Sequence, residues 1–446
     1  MATPICMEPC SDGAVTQARC SPCSLEGLNT DCMLAILCAS DSLADLAALI
    51  RASPAALHCF VSAKALILRE VMTTELGPAI RDAFIMSLTD NIDMFAAGSL
   101  QQTFHMAISG YREALSADAA PWVPALDVDT ATDMARLTRI VLYFVDLYLH
   151  HRIRHFEEFL DPPCGAWSTS RTERRRVAQA LLRFEVIASL HHPSFDLRPG
   201  ADRFFTVALE LFTSWELEQI SEVAHFVLAL IHAFRRWDKH APRTQPLPPT
   251  NHYHVQAYLS LPAFYAQLAG AAQRMANEGE PDLLSQMLRD PLLCSGKLTT
   301  SGLRVPWLVS SHQWLWLGPN EPPAALLGLL KDSDPSPAGE GEDDAAALRG
   351  PIDAGDGSPT DPPWAWLQAW NGRVVRRWGN DLVPERTPDF DWDEHDRVKE
   401  LVQSWRWLGM VFWDKNRAEV LLKTKALEGC RTGWLASYHN FGQTGA

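Results

Sequence analysis

Residues 170–190 read SRTERRRVAQALLRFEVIASL. Ser170 followed three positions later by Glu173 is a capping box, which satisfies two of the free N–H groups at a helix start. Val177, Ala180, Leu181, Phe184, Ile187 and Ala188 then recur at spacings of three and four, so the stretch predicts an amphipathic helix. The run Arg171 to Arg176 leads into that helix and reads as its solvated face. Upstream, residues from about Ala131 to Leu160 carry Leu137, Ile140, Val141, Phe144, Leu147 and Tyr148 with the same period. Downstream, Trp215 to Trp237 repeats it in Ile220, Val223, Ala224, Val227, Leu230, Ile231 and Phe234. No comparable stretch alternates with period two, and the expected fold class is all-α: a short N-terminal three-helix unit followed by an irregular multi-helix domain.

Toward the N-terminus the helical pattern begins near Leu25 and closes near residue 75. Met33, Leu34, Ile36 and Leu37 form one short apolar face. Ser42 with Asp45 opens a second helix bearing Leu43, Leu46, Leu49 and Ile50, which Ser53-Pro54 stops. A third, with Leu66, Leu68 and Val71, runs to Gly77-Pro78. Residues 1–24 are expected to be a flexible tail carrying Cys6, Cys10, Cys20 and Cys23, four thiols in two close pairs but without the glycines that turn a zinc knuckle.

The helical body is expected to span 76–330. Residues 331–363 hold six prolines, five glycines and nine acids against two bases, too few apolar side chains to offset ordering, and are expected to be a disordered acidic loop. A tryptophan-rich helical part follows at 364–428, in which Leu401, Trp405, Leu408 and Phe412 fall at helical spacing and read as core, and then a tail at 429–446.

Composition narrows the function classes. The hydrophobic fraction of 47% is that of a globular chain, so only local disorder is expected. A formal net charge of −15 repels phosphate backbones and anionic lipid alike, which counts against nucleic-acid and membrane-surface binding. There is no basic stretch followed by an apolar one at the start, and the longest apolar candidate, Ile140 to Leu149, already carries Asp146, so a soluble intracellular protein is expected. Ten cysteines, seven of them before residue 60, do not form the pattern of a disulfide framework.

Catalytic signatures are missing. Gly296-Lys297 lacks the rest of a P-loop, and neither a Gly-x-Ser-x-Gly elbow nor a His-Glu-x-x-His helix occurs. His151, His155 and Glu158 fall on one helical face and could grip a transition metal, but with Arg152 and Arg154 flanking them they read first as a solvated face. Asp389, Asp391, Asp393 and Glu400 match positions 1, 3, 5 and 12 of a calcium loop, yet Glu394 stands where its turn needs glycine; they read first as acidic capping of a helix starting near Glu394. No cofactor or metal is expected, and no catalytic residue is assigned.

Leu28, Leu34, Ile36, Leu37, Leu43 and Leu46, with the run Ala48-Leu-Ile-Arg-Ala-Ser-Pro54, resemble the F-box-like N-terminus of a large, poorly characterised family of filamentous-fungal proteins. The likeness continues in Ser170 to Arg176 with Arg183-Phe-Glu185, in Trp215-Glu-Leu-Glu-Gln219 and in Leu408-Gly-Met-Val-Phe-Trp-Asp414. Asn29 stands where that family usually follows leucine with proline. The resemblance implies a protein-binding module whose apolar helices dock on the Skp-type adaptor of a cullin ubiquitin ligase while the rest of the chain presents a substrate. Leu28, Leu34, Ile36, Leu37, Leu43, Leu46, Leu49 and Ile50 would form the docking surface. A helical interaction or structural protein of the same family without adaptor binding is the alternative, and a metal-dependent enzyme using the His151 face is a further one.

Overall fold

The computed structural model describes residues 25–90, 109–113, 126–157, 169–190, 211–212, 214–237, 260–278, 282–289, 363 and 409–423. These are helical almost throughout, with no strand among the described residues, so the fold class is all-α. The expected tail at 1–24, the acidic loop apart from Pro363, and the calcium-like acids lie outside the described residues.

After a 3-10 turn at Leu25–Gly27 come α1 (Thr30–Cys38), α2 (Leu43–Ala52), α3 (Pro54–Ser62) and α4 (Lys64–Leu76). Their starts are chemically marked. The Asn29 side chain accepts from Cys32 N–H at 2.7 Å and so caps α1. Ser42 accepts from Asp45 N–H at 3.1 Å, and the Glu75 carboxylate of α4 accepts from Leu43 N–H at 2.9 Å. The stretch expected to form one third helix forms two. Ser53 ends α2 and also caps α3 by accepting from Ala56 N–H, with Pro54 at the first helical position where its missing N–H costs nothing. Ala63, at φ −127° and ψ 28°, then separates α3 from α4. Met33, Leu37, Leu43, Leu46, Ala56, Cys59, Ile67, Leu68 and Val71 are buried and belong to one hydrophobic core that continues into the body.

Gly77, at φ 59°, allows the reversal after α4, and a Cβ there would come within 3.1 Å of the Arg175 side chain. A 3-10 turn at Gly77–Ala79 leads into α5 (Ile80–Asp90). The body adds a helical turn at 109–113, α6 (Val128–Glu157), α7 (Arg171–Leu190), α8 (Ser214–Trp237), α9 (Leu261–Glu278) and α10 (Leu283–Leu288). The three long helices expected from periodicity are α6, α7 and α8. Helix α7 is central, packed on α4, α5, α6 and α8. Helix α8 is long and apolar enough to cross a membrane by length and composition, but its apolar window is 93% buried inside the protein, as in a core helix.

The last described piece is a turn at 409–412 followed by α11 (Lys415–Lys423). Phe412 is core, as expected, but it sits in this turn rather than in a helix; Leu401, Trp405 and Leu408 lie outside the described residues. Aromatic edges knit the segment to the body: Tyr148 meets Phe412 at 5.3 Å and Phe226 at 5.2 Å between ring centroids, while Phe144 stacks on Phe264.

Candidate functional site

The eight residues expected to form one docking surface divide between inside and outside. Leu37, Leu43 and Leu46 are buried, and Leu34, Leu49 and Ile50 are half-buried against the same core. Only Leu28 and Ile36, each 38% exposed, present open apolar area. The physical reason is that α1 and α2 pack on α3 and α4, and the apolar stripe that gives a short helix its stability is consumed in that packing.

The rest of the outer apolar surface is made by residues outside the expected docking set. Leu57 is 46% and Val61 69% exposed, and their i, i+4 spacing puts them on one face of α3. Leu66 on α4 is also exposed. On α1, exposed Cys32 precedes Ile36 by the same spacing. Five of the seven large hydrophobic side chains exposed among the described residues belong to this unit, which makes it the apolar part of the described surface.

The described helices of the body, by contrast, bury several charged side chains. The arginine run at the head of α7 is only in part a solvated face: Arg171, Arg174 and Arg175 are half-buried, whereas Glu173 and Arg176 are both 1% exposed, and further along the helix Gln179, Arg183 and Glu185 are buried as well. Arg171 and Arg175 both donate to the Thr74 carbonyl at the end of α4, tying the N-terminal unit to the body where the helix C-terminus welcomes a cation. Arg174 pairs with Asp146 of α6 at 2.6 Å. His151 and Arg152 likewise lie inside rather than on a solvated face, His151 against the Phe226 ring. The His155 side chain and Glu158 lie outside the described residues, and among those described no three metal-ligating side chains converge.

Three ionic clusters result. In the first, Arg417 grips Glu173 while Arg176 pairs with Asp414 at 2.9 Å, and the Ser170 hydroxyl donates to Asp414. Gln179 is a neighbour on the same buried helix, and Gln219 of α8 donates to the Val411 carbonyl at 3.0 Å. In the second, Glu222 accepts from Arg152 and from the Tyr148 hydroxyl; burial raises the carboxyl's pKa and the Arg152 charge opposes the rise. Burial and the neighbouring Glu222 push the Tyr148 hydroxyl well above its ordinary value. In the third, Asp82 of α5 accepts from the Tyr111 hydroxyl and faces Arg183, which also pairs with Glu216 at 2.6 Å. Burial raises Asp82 and Tyr111; Arg183 is raised because Asp82 and Glu216 together outweigh the effect of its own burial. These groups bond across helices, which is the chemistry of cross-bracing.

No family model, no curated protein and no solved structure matches the chain.

Proposed function

We propose that the chain is a protein-binding module of the F-box-like kind, its N-terminal unit docking on a Skp-type adaptor and its helical body carrying a second protein. The observation that supports this is the concentration of exposed Leu28, Ile36, Leu57, Val61 and Leu66 in one small unit, against two exposed large hydrophobic side chains, Val128 and Trp237, among the described residues of the body. A cytoplasmic or nuclear location goes with this reading. The test is a pull-down of purified Skp-type adaptor on the full-length chain, comparing wild type with the double variant Leu57→Asp/Val61→Asp. The reading expects the folded wild type to retain the adaptor and the folded double variant to lose it. A folded wild type that retains none sinks it.

The burial of Leu37, Leu43 and Leu46 favours a second reading, a helical interaction protein in which these leucines serve packing and no adaptor binds. That reading expects Leu43→Asp to unfold the unit, and the Leu57→Asp/Val61→Asp variant to leave ligase association unchanged from a wild-type level of zero.

A further inference from the structure

The interior ionic clusters differ in charge balance. Around the C-terminal segment two cations, Arg176 and Arg417, meet two carboxylates, Glu173 and Asp414. Around α5, one guanidinium, that of Arg183, stands between Asp82 and Glu216, and it leans to one side. Its Nη1 lies 2.6 Å from the Glu216 carboxylate, whereas its Nε lies 3.4 Å from Asp82 Oδ1. Oδ1 also accepts from the Tyr111 hydroxyl. The other oxygen, Asp82 Oδ2, is buried with no hydrogen-bond partner, on a residue 1% exposed. Phe212 covers the site, its ring 5.1 Å from the Arg183 guanidinium carbon and edge-on to Tyr111 at 5.9 Å.

An ionised carboxylate in this place would hold a charge with one oxygen bare and its cation shared with a nearer acid. Burying such a charge costs far more than burying a neutral acid that lacks one partner. The groups that act on Asp82 are Arg183 of α7, Glu216 of α8 and Tyr111 of the 109–113 turn, with desolvation raising its pKa more than Arg183 lowers it. We propose that Asp82 is a proton-holding site, neutral in the folded protein at physiological pH, whose ionisation under alkaline conditions loosens the joint between α5, α7 and α8. Because folding then takes up a proton, the contribution is fully present below the ordinary carboxylate pKa and declines as pH rises through the folded value.

The test uses the full-length chain. Infrared spectroscopy of the wild type is expected to show a protonated-carboxyl C=O band that Asp82→Asn removes. Urea unfolding across neutral to alkaline pH is expected to show a wild-type midpoint that falls as pH rises and an Asp82→Asn midpoint that falls less steeply and exceeds the wild type at the upper end. Glu216→Gln leaves Arg183 wholly to Asp82, so it should abolish the same band by letting Asp82 ionise; with carboxyl-13C-labelled aspartate, which shifts the wild-type band only if an aspartate carries the proton, it completes the test if Asp82→Asn does not fold. A folded wild type without the band, or a band that survives both substitutions, overturns the proposal. So does an Asp82→Asn variant that is less stable at every pH with the wild-type slope intact.

Discussion

The guanidinium of Arg417 lies fork to fork on the carboxylate of Glu173, Nε to Oε1 at 2.8 Å and Nη2 to Oε2 at 3.0 Å, across 244 residues of chain. Glu173 takes two further donors, the N–H of Ser170 and that of Asp414, so one buried carboxylate caps α7 and anchors the C-terminal segment. Planar, two-point recognition of this kind belongs to arginine. Removing one partner leaves the other charge buried, and Arg417→Ala is expected to lower the free energy of unfolding by about 3–5 kcal/mol. Arg417→Lys should recover only part of it. Urea denaturation of the two variants against wild type checks both.

That bond also shows what a sequence can and cannot disclose. The helix itself was legible: Ser170 and Glu173 do form the capping box, with the Glu173 N–H donating to Ser170 at 3.0 Å, and Val177, Leu181 and Phe184 are core. The burial of Glu173, Arg176 and Arg183 was not, because their partners Asp414, Arg417, Asp82 and Glu216 lie on other elements, some more than two hundred residues away, and periodicity reports only local neighbours. One sign was present. Ala178, Leu182 and Val186 fill the flank opposite the expected stripe, so α7 has no broad polar face and its charges had to share the interior. In the N-terminal unit the helix periods were again legible, but they mark which residues are apolar, not which of them the unit keeps for itself. Leu37 and Leu43 went inside, and Leu57 and Val61 stayed out.

Gly409 holds the turn that delivers Phe412 and Trp413 to the core, at φ 67°, and a Cβ there would come within 2.6 Å of the Tyr148 hydroxyl oxygen. Gly409→Ala therefore meets both a backbone penalty of about 1–2 kcal/mol and a clash with a buried side chain. Thermal unfolding should place it below wild type by more than the backbone penalty alone. In a Tyr148→Phe background, where the hydroxyl is gone, the added cost of Gly409→Ala should shrink toward that penalty. Equal costs in the two backgrounds would remove Tyr148 from the account.

Glu75 joins α4 to the start of α2 through its bond from Leu43 N–H, and burial raises its carboxyl above the ordinary 4.5. The raised value means that the folded state binds a proton more readily than the unfolded one. Its favourable contribution is complete below about pH 4.5 and is lost as pH rises through the folded value. Glu75→Gln keeps an acceptor for the Leu43 N–H and discards the desolvated charge, so at neutral pH its Tm should equal or slightly exceed the wild-type value, and the Tm change through the mildly acidic range should be smaller. A neutral-pH Tm well below wild type would mean that the charge, acting on the N-terminus of α2, outweighs its burial.

Leu57→Asp and Val61→Asp place a charge where the side chain is already exposed, and away from core positions such changes usually stay within about 0.5 kcal/mol. Leu37, with no exposed area, is the opposite case: Leu37→Ala should cost about 2–5 kcal/mol by leaving a cavity between α1 and its neighbours. The contrast separates packing from docking. If both leucines serve only the fold, Leu57→Asp will prove as destabilising as Leu37→Ala in urea titration. If the α3 face is kept for a partner, Leu57→Asp will unfold like wild type and differ from it only when that partner is present, because α3 keeps its cap at Ser53 and its inner residues Ala56 and Cys59 whatever stands at position 57.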